Sequence, residues 1–137
     1  MRKNELSIGN LVYYKDKLIK ITELLEEGIK GFDINSKNPG CVKYSEIDPV
    51  RLTIPVIKDL LGFEKRSVFI SSEFLDDWIL ELFDSRGKCY LITLCESGDN
   101  YIVCIDGEHE LSISRGVISY VHSLQNFIES ILNCSLI

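Results

Sequence analysis

The segment from Gly116 to Leu132 limits the fold more than any other part of this chain. At 3.6 residues per turn it gathers Val117, Tyr120, Val121, Leu124, Phe127, Ile128, Ile131 and Leu132 on one half of a helix. Ser119, His122, Ser123, Asn126, Glu129, Ser130 and Asn133 fall on the other half. An apolar stripe of that width has to be buried against a second apolar surface. The stretch before it, Asp77 to Ser114, supplies one, because its short runs alternate large apolar residues with polar ones, the period of a half-buried antiparallel sheet. A helix packed across a sheet is therefore the expected core, and the expected class is α+β.

Within that stretch, Trp78, Leu80 and Leu82 alternate with Asp77, Ile79, Glu81 and Phe83, which directs the single tryptophan to the core. Asp84-Ser85-Arg86-Gly87-Lys88 closes a hairpin onto Cys89 to Cys95, and Glu96-Ser97-Gly98-Asp99-Asn100 closes the next onto Tyr101 to Asp106. Gly107-Glu108 then turns into His109 to Ser114, giving a four-stranded meander, with Ser67 to Ile70 as a brief additional strand. The amino-terminal part reads differently. Leu6 to Tyr14, Leu18 to Leu24, Ile29 to Ile34 and Cys41 to Tyr44 are short strands separated by Lys15-Asp16-Lys17, Gly28 and the loop Asn35 to Gly40. Strands broken this often predict a small, strongly bent antiparallel sheet of the SH3-like barrel kind.

Between the two parts, Thr53 is placed to cap a short helix with Pro55 in its first turn. Val56, Ile57, Leu60 and Leu61 form the apolar face, and Gly62 stands at the carboxyl end. The expected division is an SH3-like β-module over residues 1–52 and an α+β module over 53–137, packed as one compact unit.

The net charge of −6 repels the phosphate backbone at long range, which disfavours duplex nucleic acid as a partner. No apolar run has the length of a membrane span, and Met1-Arg2-Lys3-Asn4-Glu5 leads into strand-like residues instead of a secretory h-region. A cytoplasmic protein with no membrane partner is expected. Cys41, Cys89, Cys95, Cys104 and Cys134 are odd in number and include no CxxC pair, so reduced, mostly buried thiols are expected, without a disulfide framework, a metal site or a cofactor.

No Walker loop, no Gly-x-Gly-x-x-Gly after a strand and no Gly-x-Ser-x-Gly elbow occurs. Lys43, Arg51, Arg86, Lys88 and Arg115 stand at strand ends or turns, close in sequence to Tyr44 and Tyr90. Cations and tyrosines in that setting clamp phosphate and stack a base, or else serve as ordinary solubilising charge. On the last helix, His122 and Asn126 share a face with Ser119, a polar cluster for a ligand or for a subunit contact. Gln125, at the edge of the apolar stripe, is expected to bond a strand end. His109 lies in the acidic run Asp106-Gly107-Glu108-His109-Glu110, readable as a cation site or a solvated turn, and it lacks the twelve-residue calcium pattern. Asp76-Asp77 and Glu26-Glu27 are sequence neighbours, which point apart on a strand and so do not make a glycosidase-style pair.

The ending Tyr120-Val121-His122-Ser123-Leu124-Gln125-Asn126-Phe127 resembles the Tyr-Val-His-x-Leu-Gln-Asn ending of small uncharacterised proteins encoded by phages and prophages of gut Bacteroidetes. The opening Asn4 to Val12 is similar to their Asn-Glu-Leu-Arg-Ile-Gly-Asn, and Ile54-Pro55 through Leu61-Gly62-Phe63 is similar to their middle. The tail departs, with Asn133-Cys134-Ser135-Leu136-Ile137 where those proteins continue Thr-Gly-Glu-Glu-Leu. The resemblance implies a phage or prophage accessory protein and carries no activity with it.

Three functions follow as expectations. The first is a non-enzymatic sponge for a host nucleotide-derived immune signal, using Lys43, Tyr44, Arg51, Arg86, Lys88, Tyr90, Arg115, His122 and Asn126. The second is a homo-oligomeric adaptor that docks on a host or phage protein. The third is a small phosphoester hydrolase built on His109 or His122.

Overall fold

A computed structural model describes residues 1–70, 72–107 and 114–137. It is mostly antiparallel β-structure with one carboxy-terminal helix, an α+β protein. The chain divides into two compact units, one of residues 1–51, 120–127 and 137, the other of residues 52–119 and 128–136.

The first unit is built on five strands, β1 (Leu11–Tyr14), β2 (Lys17–Leu24), β3 (Gly28–Asp33), β4 (Pro39–Lys43) and β5 (Ile47–Pro49). Their order in the sheet is β4-β3-β2-β1-β5, all antiparallel. The β1–β2 hairpin sets Val12 opposite Ile19 and turns at Lys15, whose φ is +54°. A register shift between Ile21 and Glu23 bends β2 against β3. Leu6, Val12, Ile19, Ile21, Ile29 and Ile47 make the core, with Met1, Tyr14, Leu24, Val42 and Tyr44 packed on it. Gly28 begins β3, where a β-carbon would run into the carbonyl of Val42 on β4. Asp33 closes the loop after β3 by accepting the Asn35 and Ser36 amides at 2.8 and 3.3 Å, and these bonds hold its carboxyl below the ordinary carboxylate range.

In the second unit, a short helical segment covers 54–60, its last five residues, Val56–Leu60, wound as a π-helix with Leu61 N bonded to Val56 O. Thr53 Oγ1 accepts the Val56 amide at 3.4 Å. Gly62, at φ +77°, ends the segment while Phe63 N reaches back to Ile57 O at 3.0 Å. Ile57, Leu61 and Phe63 are buried. The capping threonine, the apolar face and the terminal glycine thus stand where the sequence puts them.

The sheet that follows has five strands, β6 (Glu64–Ile70), β7 (Glu73–Phe83), β8 (Cys89–Ser97), β9 (Asn100–Gly107) and β10 (Ser114–Ile118), in the order β10-β9-β8-β7-β6. Trp78, Tyr90, Ile92, Leu94, Tyr101, Val103, Ile105 and Ile118 are buried in it. Across β6 and β7, Lys65 pairs diagonally with Asp76 at 3.2 Å on the Trp78 side of the pleat and Arg66 pairs with Asp77 at 3.4 Å on the other side, opposite charges across adjacent strands.

The antiparallel meander and the additional strand before it form one five-stranded sheet, as the alternation predicts, and its last strand is Ser114–Ile118. Residues His109 to Ile113, where that strand was expected, lie outside the described residues. The helix, α1, accordingly spans Val121–Leu132 and does not begin at Gly116. Arg115, Gly116, Val117 and Ile118 instead extend the ladder against Cys104, Val103, Ile102 and Tyr101. The cause is that β-branched Val117 and Ile118 gain cross-strand partners, which outweighs a helical period that fits them equally well.

The cysteines are free, with Cys41 exposed and the other four half-buried, so "mostly buried" overstates their enclosure. Burial and a hydrogen bond with Asp77 push the Cys95 thiol up to about 11. Among the described residues, no helix is long and apolar enough to cross a membrane, and no group of three metal-ligating side chains occurs.

Candidate functional site

In the first unit, Val121 N donates to Val50 O at 2.8 Å and Tyr120 forms a bridge with Arg51, so the start of α1 is fixed to the strand region ending at residue 51. Gln125 then spans the entry to β1: its Oε1 accepts Leu11 N at 2.9 Å and its Nε2 donates to Gly9 O at 3.0 Å. Asn126 accepts from Asn10 Nδ2 at 2.8 Å and donates to Glu5 O at 3.3 Å. Asn10 Oδ1 also accepts the Ser7 amide at 2.8 Å, so the segment 5–11 is stitched to the helix by side-chain amides. The expectation for Gln125 holds, since the amide it brings into the interior bonds the start of a strand.

One turn before Asn126, His122 is 6% exposed. Its ring stacks with that of Tyr120, the centroids 5.7 Å apart and the planes 21° from parallel. The buried Nδ1 has no hydrogen-bond partner among the described residues. Burial holds the imidazole below its ordinary 6.5, with the Glu5 carboxylate pulling weakly the other way. His122, Tyr120, Asn126, Ser123, Glu5, Pro49 and Met1 line a cleft of ≈ 520 Å³. The Met1 ammonium at its edge donates to Tyr44 O at 2.8 Å.

The other sequence-selected residues go to separate places. Tyr44 donates its hydroxyl to Leu25 O and packs on the first core, while Lys43 is exposed at the end of β4. In the second unit, Arg86, Lys88 and Tyr90 meet in the β7–β8 turn around Asp84. One Asp84 oxygen accepts the Arg86 and Lys88 amides at 2.9 and 3.0 Å; the other accepts the Tyr90 hydroxyl at 3.3 Å and lies 3.6 Å from the Arg86 guanidinium. The Lys88 ammonium sits 5.4 Å from the centre of the Tyr90 ring. Those bonds, the Lys88 amide foremost, hold the Asp84 carboxyl below its ordinary value. Arg115 is exposed on β10. Arg51 is exposed beside Tyr120.

Against known proteins the comparisons are silent. The chain matches no family model, no curated protein and no solved structure.

The structure therefore brings His122 and Asn126 to one cleft and gathers Arg86, Lys88 and Tyr90 in a turn of the other unit. Ser119, expected beside His122, precedes α1 and donates to Asn100 Oδ1 in the second unit. His109 and the acidic run from Glu108 onward lie outside the described residues. Nothing in the sequence pattern marks Tyr120, which falls on the apolar stripe, or Met1, Glu5 and Pro49 as cleft residues. No local pattern reveals those three, because they reach the helix across more than half the chain.

Proposed function

We propose that this chain is a non-enzymatic binding protein which sequesters a nucleotide-derived signal, as a phage or prophage accessory protein acting inside its host. The observation that carries the reading is the ring-lined cleft at the start of α1. Its ≈ 520 Å³ falls within the range of about 300–1,000 Å³ usual for small-molecule sites, and the Tyr120–His122 pair offers an aromatic surface on which a base can stack. The chemistry of the lining favours binding over turnover. Ser123 follows His122 directly on the helix, where neighbours do not face each other, so it is not placed as a nucleophile for that imidazole. Arg51, beside Tyr120, is the sequence-selected cation nearest in the ladder to this cleft and the best candidate for a phosphate.

The test is a thermal-shift and calorimetric panel of cyclic and ADP-ribose-derived nucleotides. A ligand at a hundred times its Kd stabilises the folded state by about 2.7 kcal/mol, and a panel that produces neither heat nor a shift overturns the reading.

The first sheet is further read as SH3-like. What supports this is the order β4-β3-β2-β1-β5, the bend of β2 at its register shift and the 3₁₀ turn Tyr44–Glu46 just before β5. The adaptor reading has its own support in two edge strands, β4, exposed at four of its five positions, and β10, where Val117 is 68% exposed. Affinity capture from host lysate that returns one defined protein, lost when Val117→Lys blunts β10, favours the adaptor over the sponge.

A further inference from the structure

His122 and Gln125 lie three residues apart on α1 and are each 6% exposed, yet their polar atoms fare differently. The Gln125 amide is bonded at both ends. His122 Nδ1 is buried without a partner among the described residues. Leaving a buried polar atom unpaired costs the folded state, and on a residue that lines a cleft such an atom is explained by a group that arrives there. A neutral imidazole carries one N–H and one lone pair, and an orphaned N–H is the rarer state in folded proteins, so the proton resides on Nε2 and Nδ1 is an acceptor. The other polar groups of the cleft narrow the choice further. Both ends of the Asn126 amide are engaged, and the Met1 ammonium is held by Tyr44 O. Glu5, an exposed residue of the lining, is a second acceptor and favours a donor.

Resting on the binding reading above, we propose that this cleft takes a planar heterocycle presenting an N–H donor, its face laid against Tyr120 and its donor received by His122 Nδ1. In the observed ring orientation Nδ1 is covered. Binding there requires a turn of the imidazole about its Cβ–Cγ bond that uncovers the atom, and because Nδ1 makes no hydrogen bond among the described residues, the turn loses none at that atom. Any phosphate on such a ligand points away from Glu5, toward Arg51, the bridge partner of Tyr120.

The experiment titrates the full chain, ¹⁵N-labelled at histidine, with uridine and adenosine and with their donor-blocked partners 3-methyluridine and N6,N6-dimethyladenosine. Binding is followed by calorimetry and by the ring-nitrogen resonances, with His122 assigned from the H122F variant. A nucleoside that shifts the His122 Nδ1 resonance and binds about tenfold more tightly than its blocked partner, the equivalent of one hydrogen bond, supports the proposal. Equal binding of a nucleoside and its blocked partner overturns it, as does the absence of any His122 shift up to millimolar ligand. Both results use the native chain, so they stand even if H122F fails to fold. Nucleotides that bind with heat while His122 stays silent overturn this inference and leave the sponge reading intact. Nucleosides that bind at His122 with no phosphorylated ligand binding any tighter support the inference and overturn the nucleotide-signal reading.

Discussion

Asp84 draws Arg86, Lys88 and the buried Tyr90 of β8 around one turn, whereas the start of α1 draws Tyr120, His122 and Asn126 around a cleft. In the turn, one carboxylate answers two backbone amides, a phenol and a guanidinium, so cations and an aromatic ring that look available in the sequence are organised by an acid two to six residues away. At the helix, Asn126 and Gln125 are answered by residues 5–11, but one nitrogen of His122 is answered by none of the described residues. The lesson is that a basic residue beside a tyrosine in a hairpin turn is a poor marker of a ligand site when an aspartate opens the same turn. A buried polar atom that the fold itself does not satisfy is a better one.

The contrast is sharpest at Gln125. Gln125→Leu keeps the volume and removes both bonds, leaving the Leu11 amide, on a residue that is 0% exposed, without an acceptor. A loss of about 3 kcal/mol in urea unfolding is expected. Asn126→Leu should cost less, about 1–2 kcal/mol, since Asn10 keeps its bond to the Ser7 amide and the Glu5 carbonyl lies on an exposed residue. A smaller cost for Gln125→Leu than for Asn126→Leu would mean that the amide at β1 is not what fixes the helix.

His122→Phe should leave stability at pH 7 unchanged or slightly raised, because it removes a buried polar atom that no described residue bonds and keeps a ring beside Tyr120. Its effect on acid response is the stronger sign. The folded His122 titrates below its ordinary 6.5, so between that value and its folded one the unfolded chain binds the extra proton. The contribution is complete above pH 6.5 and is lost as pH falls through the folded value. Unfolding midpoints measured from pH 7 down to pH 4 should therefore decline in the native chain and decline less in H122F; parallel curves would show that His122 is not desolvated. The smallest effect belongs to the exposed turn. Asp84→Asn should lower the midpoint slightly at pH 7, with the difference from the native chain disappearing as pH falls below the ordinary carboxylate value of 3.8, where the native acid too becomes protonated. A larger effect than Gln125→Leu would reverse the comparison.

Much of the local structure was legible. The hairpin at Lys15, the capped helical segment between Thr53 and Gly62, the inward tryptophan and the α+β class follow from turn residues and from periods of two and 3.6, which act over a few neighbours. The helix start was not. Val117 and Ile118 suit either period, and their pairing with Ile102 and Tyr101 decides for a strand. His122 was assigned to the polar half of the helix, and the structure buries it. That side of α1 faces the segment running from Glu5 to Leu11, and nothing near His122 in sequence announces it.

What the chain carried in its own order of residues was the menu of elements, because turns, caps and alternation are set by the backbone preferences and polarity of adjacent side chains. What only the tertiary structure decided was which polar groups would be satisfied. Hydrogen bonds such as those from Asn10 to Asn126 and from Leu11 to Gln125 join residues more than a hundred positions apart, and whether a buried nitrogen finds a partner depends on that distant packing. For the same reason the cleft at His122 takes shape only when both ends of the chain are brought together.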